Sequence, residues 1–295
     1  MLIKKYCFLT ITLNSLSDLY LQNYKSSTIR GALGLLLKKN FCKGDNKSSY
    51  SHYKHCSYCQ IYETKNYDIA KPFYRKSIIK PYVFYTLDNK YRYLSKSEEL
   101  NFHLIIFGSK ANYYLSSIFH SLNQIQQIGA FKNKGYGKVR LKKITSEYLE
   151  FPQITLNDTL KVATLTPLII KRNNQLLNTI SLSDFAIACA RKAHNMLLFH
   201  YDIDPKIDFD SLTKYRDVYP DYQEVRNFEI KKWSQKRLRK EKIEGIEGTF
   251  KFSLPNDDNF KKNFEKSLSI ALITGVGSLT THGFGRFEIK SEQNG

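Results

Sequence analysis

A glycine signature that occurs twice constrains this chain more than any other feature. GAFKNKGYGKVRLKK begins at Gly129, and GSLTTHGFGRFEIK begins at Gly277. Each is a glycine, five residues, then glycine–aromatic–glycine–basic, leading into alternating apolar positions. Gly129, Gly135 and Gly137 match Gly277, Gly283 and Gly285 in spacing, within 295 residues. The repeat predicts two similar halves, each closing on a glycine loop and a strand. Lacking Cβ, glycine lets backbone N–H groups come close to a phosphate chain. A single copy reads more simply as a hairpin with a glycine-rich turn. Two copies at matched spacing in a strongly basic chain favour the phosphate-approaching loop.

The length fits two domains, and 42% hydrophobic residues are enough for two ordinary cores. The formal charge is +19, from 46 Lys+Arg against 27 Asp+Glu. That excess points to a polyanionic partner. RNA or DNA fits better than a membrane surface, because no long amphipathic basic helix stands out. The 21 Tyr and 19 Phe offer stacking platforms for unpaired bases, although most Phe belong to the core. No apolar run approaches the roughly 20 residues of a membrane span. MLIKKYCFLTITLNSL has no small-residue cleavage site. Five cysteines without a pairing framework fit a reducing, cytoplasmic setting with no membrane partner.

Alternation over Lys5–Leu13 predicts a half-buried strand, with Cys7, Leu9, Ile11 and Leu13 on one face. Ser26, Ser27 and Thr28 can cap a helix from Ile29, whose stripe is Ile29, Ala32, Leu33 and Leu36. Residues 42–63 read as a polar Cys/His insertion. Strands are expected over Pro81–Leu87 and Asn101–Phe107, a helix over Lys110–Ile128, and a strand over Lys138–Ile144. After a linker near 150–158 come strand Val162–Ile170, helix Ser183–His200, strand Ile243–Leu254 and helix Phe260–Leu268. The expected class is α+β: two tandem ferredoxin-like (RRM-like) domains, at 1–150 and 158–295. The first carries the insertion, and the second a basic segment at 226–242 and a glycine-rich loop at 275–286.

GVGSLTTHGFGRFEI resembles the terminal glycine loop of the CRISPR-associated RAMP superfamily of RNA-binding proteins. Within that superfamily, four further stretches look like the precursor-CRISPR-RNA processing endoribonucleases of the Cas-six type. RGALGLLLKKNFC (Arg30–Cys42) resembles their first helix, and HCSYCQIYE (His55–Glu63) their Cys-rich insertion. FHLIIFGSKANYYL (Phe102–Leu115) resembles a strand-to-helix turn, and KKWSQKRLRKEKIEGIEGTFKF the second domain. The first glycine copy departs from the pattern, with Gln127 in place of the leading glycine. The resemblance implies binding of CRISPR repeat RNA in a precursor crRNA, with CRISPR effector subunits as further partners. It implies metal-independent cleavage by 2′-OH attack, leaving a 2′,3′-cyclic phosphate. Such chemistry needs a base, an acid and stabilisation of the phosphorane.

The family often places a catalytic histidine in or just after the first helix, and residues 24–41 contain none. A non-catalytic RNA-binding subunit of an effector complex is therefore the alternative reading. His282, inside the terminal loop, is the first catalytic candidate, because histidine titrates near 6.5 and serves either proton role. His52 is next, since the insertion follows the first helix. Tyr24 can orient a phosphate or ribose, and Lys38 and Lys39 can stabilise developing charge. Their simpler reading is a solvated helix end. Arg30, a cation in a helix's first turn, is an expected RNA contact. So are Lys231, Lys232, Trp233, Lys236, Arg237, Arg239 and Lys240, in a run of net charge +6 over 17 residues. Gly275, Gly277, Gly283, Gly285 and Arg286 complete the RNA-binding set. Cys42, Cys56 and Cys59, with His52 or His55, have the donors for one structural zinc. His55 is taken as the fourth ligand, and the alternative is three free thiols in a polar loop. No cofactor is expected for catalysis. Neutralising Lys236, Arg237 and Arg239 together is expected to weaken RNA binding and to reduce its salt slope by about 3, measured by titration at several salt concentrations.

Overall fold

The computed structural model describes residues 5–21, 23–43, 50–64, 78–86, 92–131, 135–234 and 239–290. Alternation from Lys5 produces strand β1 (Lys5–Ser15), in which Cys7, Leu9, Ile11 and Leu13 are fully buried. The first unit continues with β2 (Leu19–Leu21), α1 (Ser26–Phe41), α2 (Tyr50–His55), α3 (Ser57–Tyr62), β3 (Tyr82–Tyr85) and β4 (Arg92–Leu94). It then adds β5 (Glu99–Ile106), α4 (Ala111–Asn123), β6 (Gln127–Phe131) and β7 (Gly135–Glu150). The sheet runs β3-β5-β1-β7-β6, and all its pairings are antiparallel. Ile29, Leu33 and Leu37 of α1 join Tyr114, Ile118 and Leu122 of α4 in the core cluster that holds the inward face of β1.

The second unit contains β8 (Thr159–Thr164), β9 (Lys171–Arg172), β10 (Gln175–Leu176), α5 (Leu182–His200), α6 (Phe209–Thr213) and β11 (Tyr222–Ser234). β12 (Arg239–Ser253), α7 (Asp258–Thr274) and β13 (Phe287–Lys290) follow. Its antiparallel sheet runs β11-β12-β8-β13. Phe185 of α5 meets Phe250, Phe264 and Phe287 edge-on, with ring centroids 5.3–6.1 Å apart. Burying one such ring stabilises by about 2–3 kcal/mol. Ser181 and Asp184 cap α5 reciprocally, and Asp257 caps α7 through the Phe260 N–H. Both units are mixed α/β with antiparallel sheets, in strand orders consistent with the ferredoxin-like arrangement. The first unit is Met1–Glu150 with Asn195–Ile203 and Thr281–Gly283, and the second takes the remainder. Among the described residues, no helix is long and apolar enough to cross a membrane.

Three local expectations change. The insertion at 42–63 contains two short helices, with Ser57, Cys59, Gln60, Ile61 and Tyr62 of α3 buried. The basic run at 226–242 is a hairpin: Lys231 pairs with Lys242, Lys232 with Glu241 and Trp233 with Lys240 across β11 and β12. The N-cap of α1 is Lys25, with no side-chain cap bond. The expected capping hydroxyls are engaged elsewhere, Ser26 with Thr86 at 3.4 Å and Ser27 with His282 at 3.1 Å.

The two glycine copies fold differently. In the first, Gly135 and Gly137 lie within β7 and face β6, as in the simpler hairpin reading. In the second, Gly275, Gly277, Gly283 and Gly285 all have φ between 73° and 87°, a region closed to most side chains. A Cβ on Gly285 would stand 2.0 Å from the Val276 carbonyl oxygen. Gly285→Ala is therefore expected to destabilise the protein by roughly 2–4 kcal/mol, seen as a lower urea midpoint with an unchanged slope.

Candidate active site

The loop 275–285 is held by its own backbone. Val276 N–H donates to Gly285 O at 2.8 Å, Ser278 N–H to Ile169 O at 2.9 Å and Gly285 N–H to Pro167 O at 2.9 Å. Arg286 N–H donates to the Thr166 hydroxyl, and an Arg286 guanidinium nitrogen donates to Ile273 O at 2.7 Å. Gly275, Gly283 and Gly285 are buried and Gly277 is half-buried. Gly275, Gly277 and Gly285 thus serve close approach of the loop to the second unit. At the apex stand exposed Leu279 and half-buried Thr281 and His282.

Thr281–Gly283 cluster with the first unit, at the start of α1. A Cβ on Gly283 would come within 2.7 Å of the Ser26 hydroxyl. Its absence lets His282 Nδ1 meet Ser27 Oγ at 3.1 Å. If Nδ1 donates, Nε2 is left as a base; if it accepts, Nε2 carries a proton and serves as an acid. Tyr24, at φ 58°, turns the chain into the helix one residue before buried Lys25. One turn on, Arg30 Nε donates to the Tyr82 hydroxyl at 3.0 Å, and its guanidinium lies 5.1 Å from the Tyr62 ring centroid. Burial pushes Tyr82 up to about 12, against the opposing pull of Arg30. The first turn of α1 contains no acidic residue to oppose Arg30, while the N–H groups of Ser27 and Thr28 donate to Tyr24 O and Lys25 O.

Lys38 and Lys39 are exposed in the last turn of α1. Eleven residues separate Ser27 from Lys38, about 16 Å along a helix. Neither lysine is brought to His282. His52 also lies away from that end, among cysteines: its Nε2 is 3.6 Å from Cys42 Sγ and 3.4 Å from Cys59 Sγ. His52, not His55, is the imidazole beside Cys42, Cys56 and Cys59, whose ligand atoms all lie within 4.8 Å of one another. His55 is exposed. The donors suit a metal ion. Burial pushes the Cys59 thiol up, and Cys56 and Cys42 push it the same way; a bound cation would reverse both effects. Lys231, Lys232 and Trp233 stand on β11, and Arg239 and Lys240 on β12. Lys236 and Arg237 lie outside the described residues.

Sequence reasoning missed Ser27 as a partner for the histidine, because S-S-T before a helix reads as a cap. Nothing in the sequence marks Tyr62 and Tyr82 as the seat of Arg30, since they lie 32 and 52 positions from it.

Residues 3–164 match the AF_1859_N family model, an N-terminal domain, and residues 162–287 match the model of the CRISPR-associated endoribonuclease Cas6. The fold is similar to Cas6 of Thermus thermophilus at TM-score 0.59 and 12% identity, covering 97% of this chain and 99% of that one. A Cas6 product complex aligns at TM-score 0.61 and 12% identity, over 97% of this chain and 100% of the other. A chain of a partial Cas6-RT-Cas1–Cas2 complex aligns at 0.56 and 9%, over 99% of this chain and 47% of the other. No curated protein matches the chain by sequence. Two antiparallel α/β units with a glycine-rich C-terminal loop define a protein of the Cas6 fold. Residues 3–164, more than half of the chain, belong to the AF_1859_N family, and residues 162–287 are similar to the family of CRISPR-associated Cas6 endoribonucleases.

Two further basic groups are tuned by burial. His200 donates from Nε2 to Ile79 O at 2.8 Å and is pushed down to about 4, so it is neutral at pH 7. Lys192 is 8% exposed; its Nζ donates to the Thr280 hydroxyl at 2.9 Å, and burial pushes it down to about 8. Between about pH 8 and lysine's ordinary value of 10.5, the folded amine is neutral while the unfolded one stays charged. The unfolded state binds more protons there, so this group's contribution to stability rises with pH. Lys192→Met is expected to abolish that rise, measured as the difference in unfolding free energy between pH 7.5 and pH 10 for variant and parent.

Proposed function

We propose that this protein cleaves CRISPR repeat RNA within a precursor transcript, at the start of α1, with His282 moving the proton. The observation that carries the reading is the pairing of His282 with Ser27 in a chain whose residues 162–287 match the Cas6 model. Ser27 orients the imidazole through Nδ1, and the ring acts on the 2′-hydroxyl or the departing 5′-oxygen. The 2′-oxygen attacks the adjacent phosphorus as the P–O5′ bond breaks. The products are a 2′,3′-cyclic phosphate and a 5′-hydroxyl. Arg30 stabilises the negative charge that develops. Tyr24 orients the ribose or phosphate. The chemistry uses no metal, and any zinc in the chain is structural. The units act as tandem ferredoxin-like domains. Lys231, Lys232 and Trp233 of β11, Arg239 and Lys240 of β12, and Lys236 and Arg237 of the same basic run hold the RNA backbone, and CRISPR effector subunits are further partners in the cytoplasm.

A second reading, a non-catalytic RNA-binding subunit, is favoured by one observation. Lys38, Lys39 and His52 stand away from His282, so the acid, base and charge stabiliser do not all converge. Incubating the protein with its cognate repeat RNA in excess EDTA separates the two. The expected result is one cut with a 2′,3′-cyclic phosphate end. His282→Ala is expected to slow that cut by about 100-fold or more while RNA affinity changes less than about tenfold. Tight binding without a cut would establish the second reading, and an unimpaired His282→Ala would remove the histidine from the chemistry.

A further inference from the structure

We propose that Cys42, His52, Cys56 and Cys59 form a closed structural zinc site that locks α3 against α1 and so seats Arg30. The inference concerns the free protein and stands whether or not the chain cleaves RNA. Zinc bonds of about 2.3 Å to sulfur and 2.0–2.1 Å to nitrogen, at tetrahedral angles, put ligand atoms about 3.8 Å (S–S) and 3.6 Å (S–N) apart. The corresponding distances are 3.9 Å for Cys42–Cys59, 3.6 Å for Cys42–His52 and 3.4 Å for Cys59–His52. All four donor atoms fall within 4.8 Å of one another. A Cys42–Cys59 disulfide would require closing 3.9 Å to about 2.05 Å, and it would leave the third thiol and the imidazole unexplained.

Local structure builds the set. Cys42 is the C-cap of α1, and its N–H closes on Lys38 O at 3.0 Å. The helix's carbonyl end favours a cation there. Cys56 is the N-cap of α3, and its sulfur accepts the Cys59 N–H at 3.4 Å. The Cys56 thiol also lies 3.3 Å from Phe41 O, a contact that the thiolate form would give up. His52 precedes Cys56 by four residues, at the middle of α2. Cys56 and Cys59 are buried, and His52 and Cys42 are half-buried. Three thiolates and one imidazole fill the tetrahedron, with no position open for water or substrate. The donor softness suits zinc rather than magnesium or calcium.

The site has a mechanical role. A six-residue helix such as α3 is not stable alone. It nonetheless places Tyr62 where a Cβ on Gly34 would be 2.6 Å from the ring. From there the Tyr62 hydroxyl donates to Arg30 O at 3.0 Å, and the ring stacks on Tyr82 at 5.0 Å. Both rings contact the Arg30 side chain. Zinc at the far end of α1 thus fixes the surface on which Arg30 rests.

The test is elemental analysis of the full chain, expressed with zinc supplied and purified under reducing conditions. About one zinc per chain is expected in the parent and in His55→Ala, and less than about 0.2 in His52→Ala and Cys59→Ser. Cobalt substituted into the parent is expected to show thiolate charge-transfer absorption and tetrahedral visible bands. Should Cys59→Ser fail to fold, the His52→Ala and His55→Ala pair and the parent cobalt spectrum decide. A metal-free parent, equal zinc in the two histidine variants, a six-coordinate cobalt spectrum or a Cys42–Cys59 disulfide would each overturn the proposal.

Discussion

The close approach of backbone to backbone around Gly285 governs the candidate site. Val276 and Gly285 pair through their main chains, and Gly285 in turn reaches Pro167. Only residues without a Cβ fit those contacts, and the positive φ values hold the loop in one course. The intervening segment Leu279–His282 is thereby presented at a fixed position. A histidine on a free loop would lose much of its potency, because proton transfer demands a defined reach. The glycines therefore contribute through rigidity more than through direct contact with a phosphate.

What was legible in the sequence follows from how strongly each segment is buried on one side. β1 and α5 show clean periodicity because one face of each is sealed: Cys7, Leu9, Ile11 and Leu13, and Phe185, Cys189, Ala193 and Met196. α2 and α3 span six residues each, too few for a helical period to register. β11 was hidden by its exposure. Tyr222, Gln223, Glu224 and Arg226 lie on an edge strand with no buried face to impose alternation, so charge dominated the reading. The glycine repeat was real as a pattern, yet its first copy is a hairpin because Gly137 packs under Leu19.

The site was legible in parts. His282 stood out by lying between glycines, and the cysteines by their C-x2-C spacing. Distances along the chain misled for Lys38, Lys39 and His52, since a 16-residue helix carries its ends far apart. The two ends of α1 have different characters: the first gathers Ser27, Arg30 and His282, and the last gathers thiols. Choosing between His52 and His55 required the turn of α2, which composition does not encode.

The contact between Ser27 and His282 joins residues 255 positions apart. At about 5–20 residues per second, a ribosome adds the histidine some 10–50 s after the serine. The strands β1 to β7 are complete at Glu150, 132 residues before the chain reaches His282. The first unit's sheet can therefore form before the Ser27–His282 contact exists, and a chain that stops short of residue 282 would have that sheet without the contact.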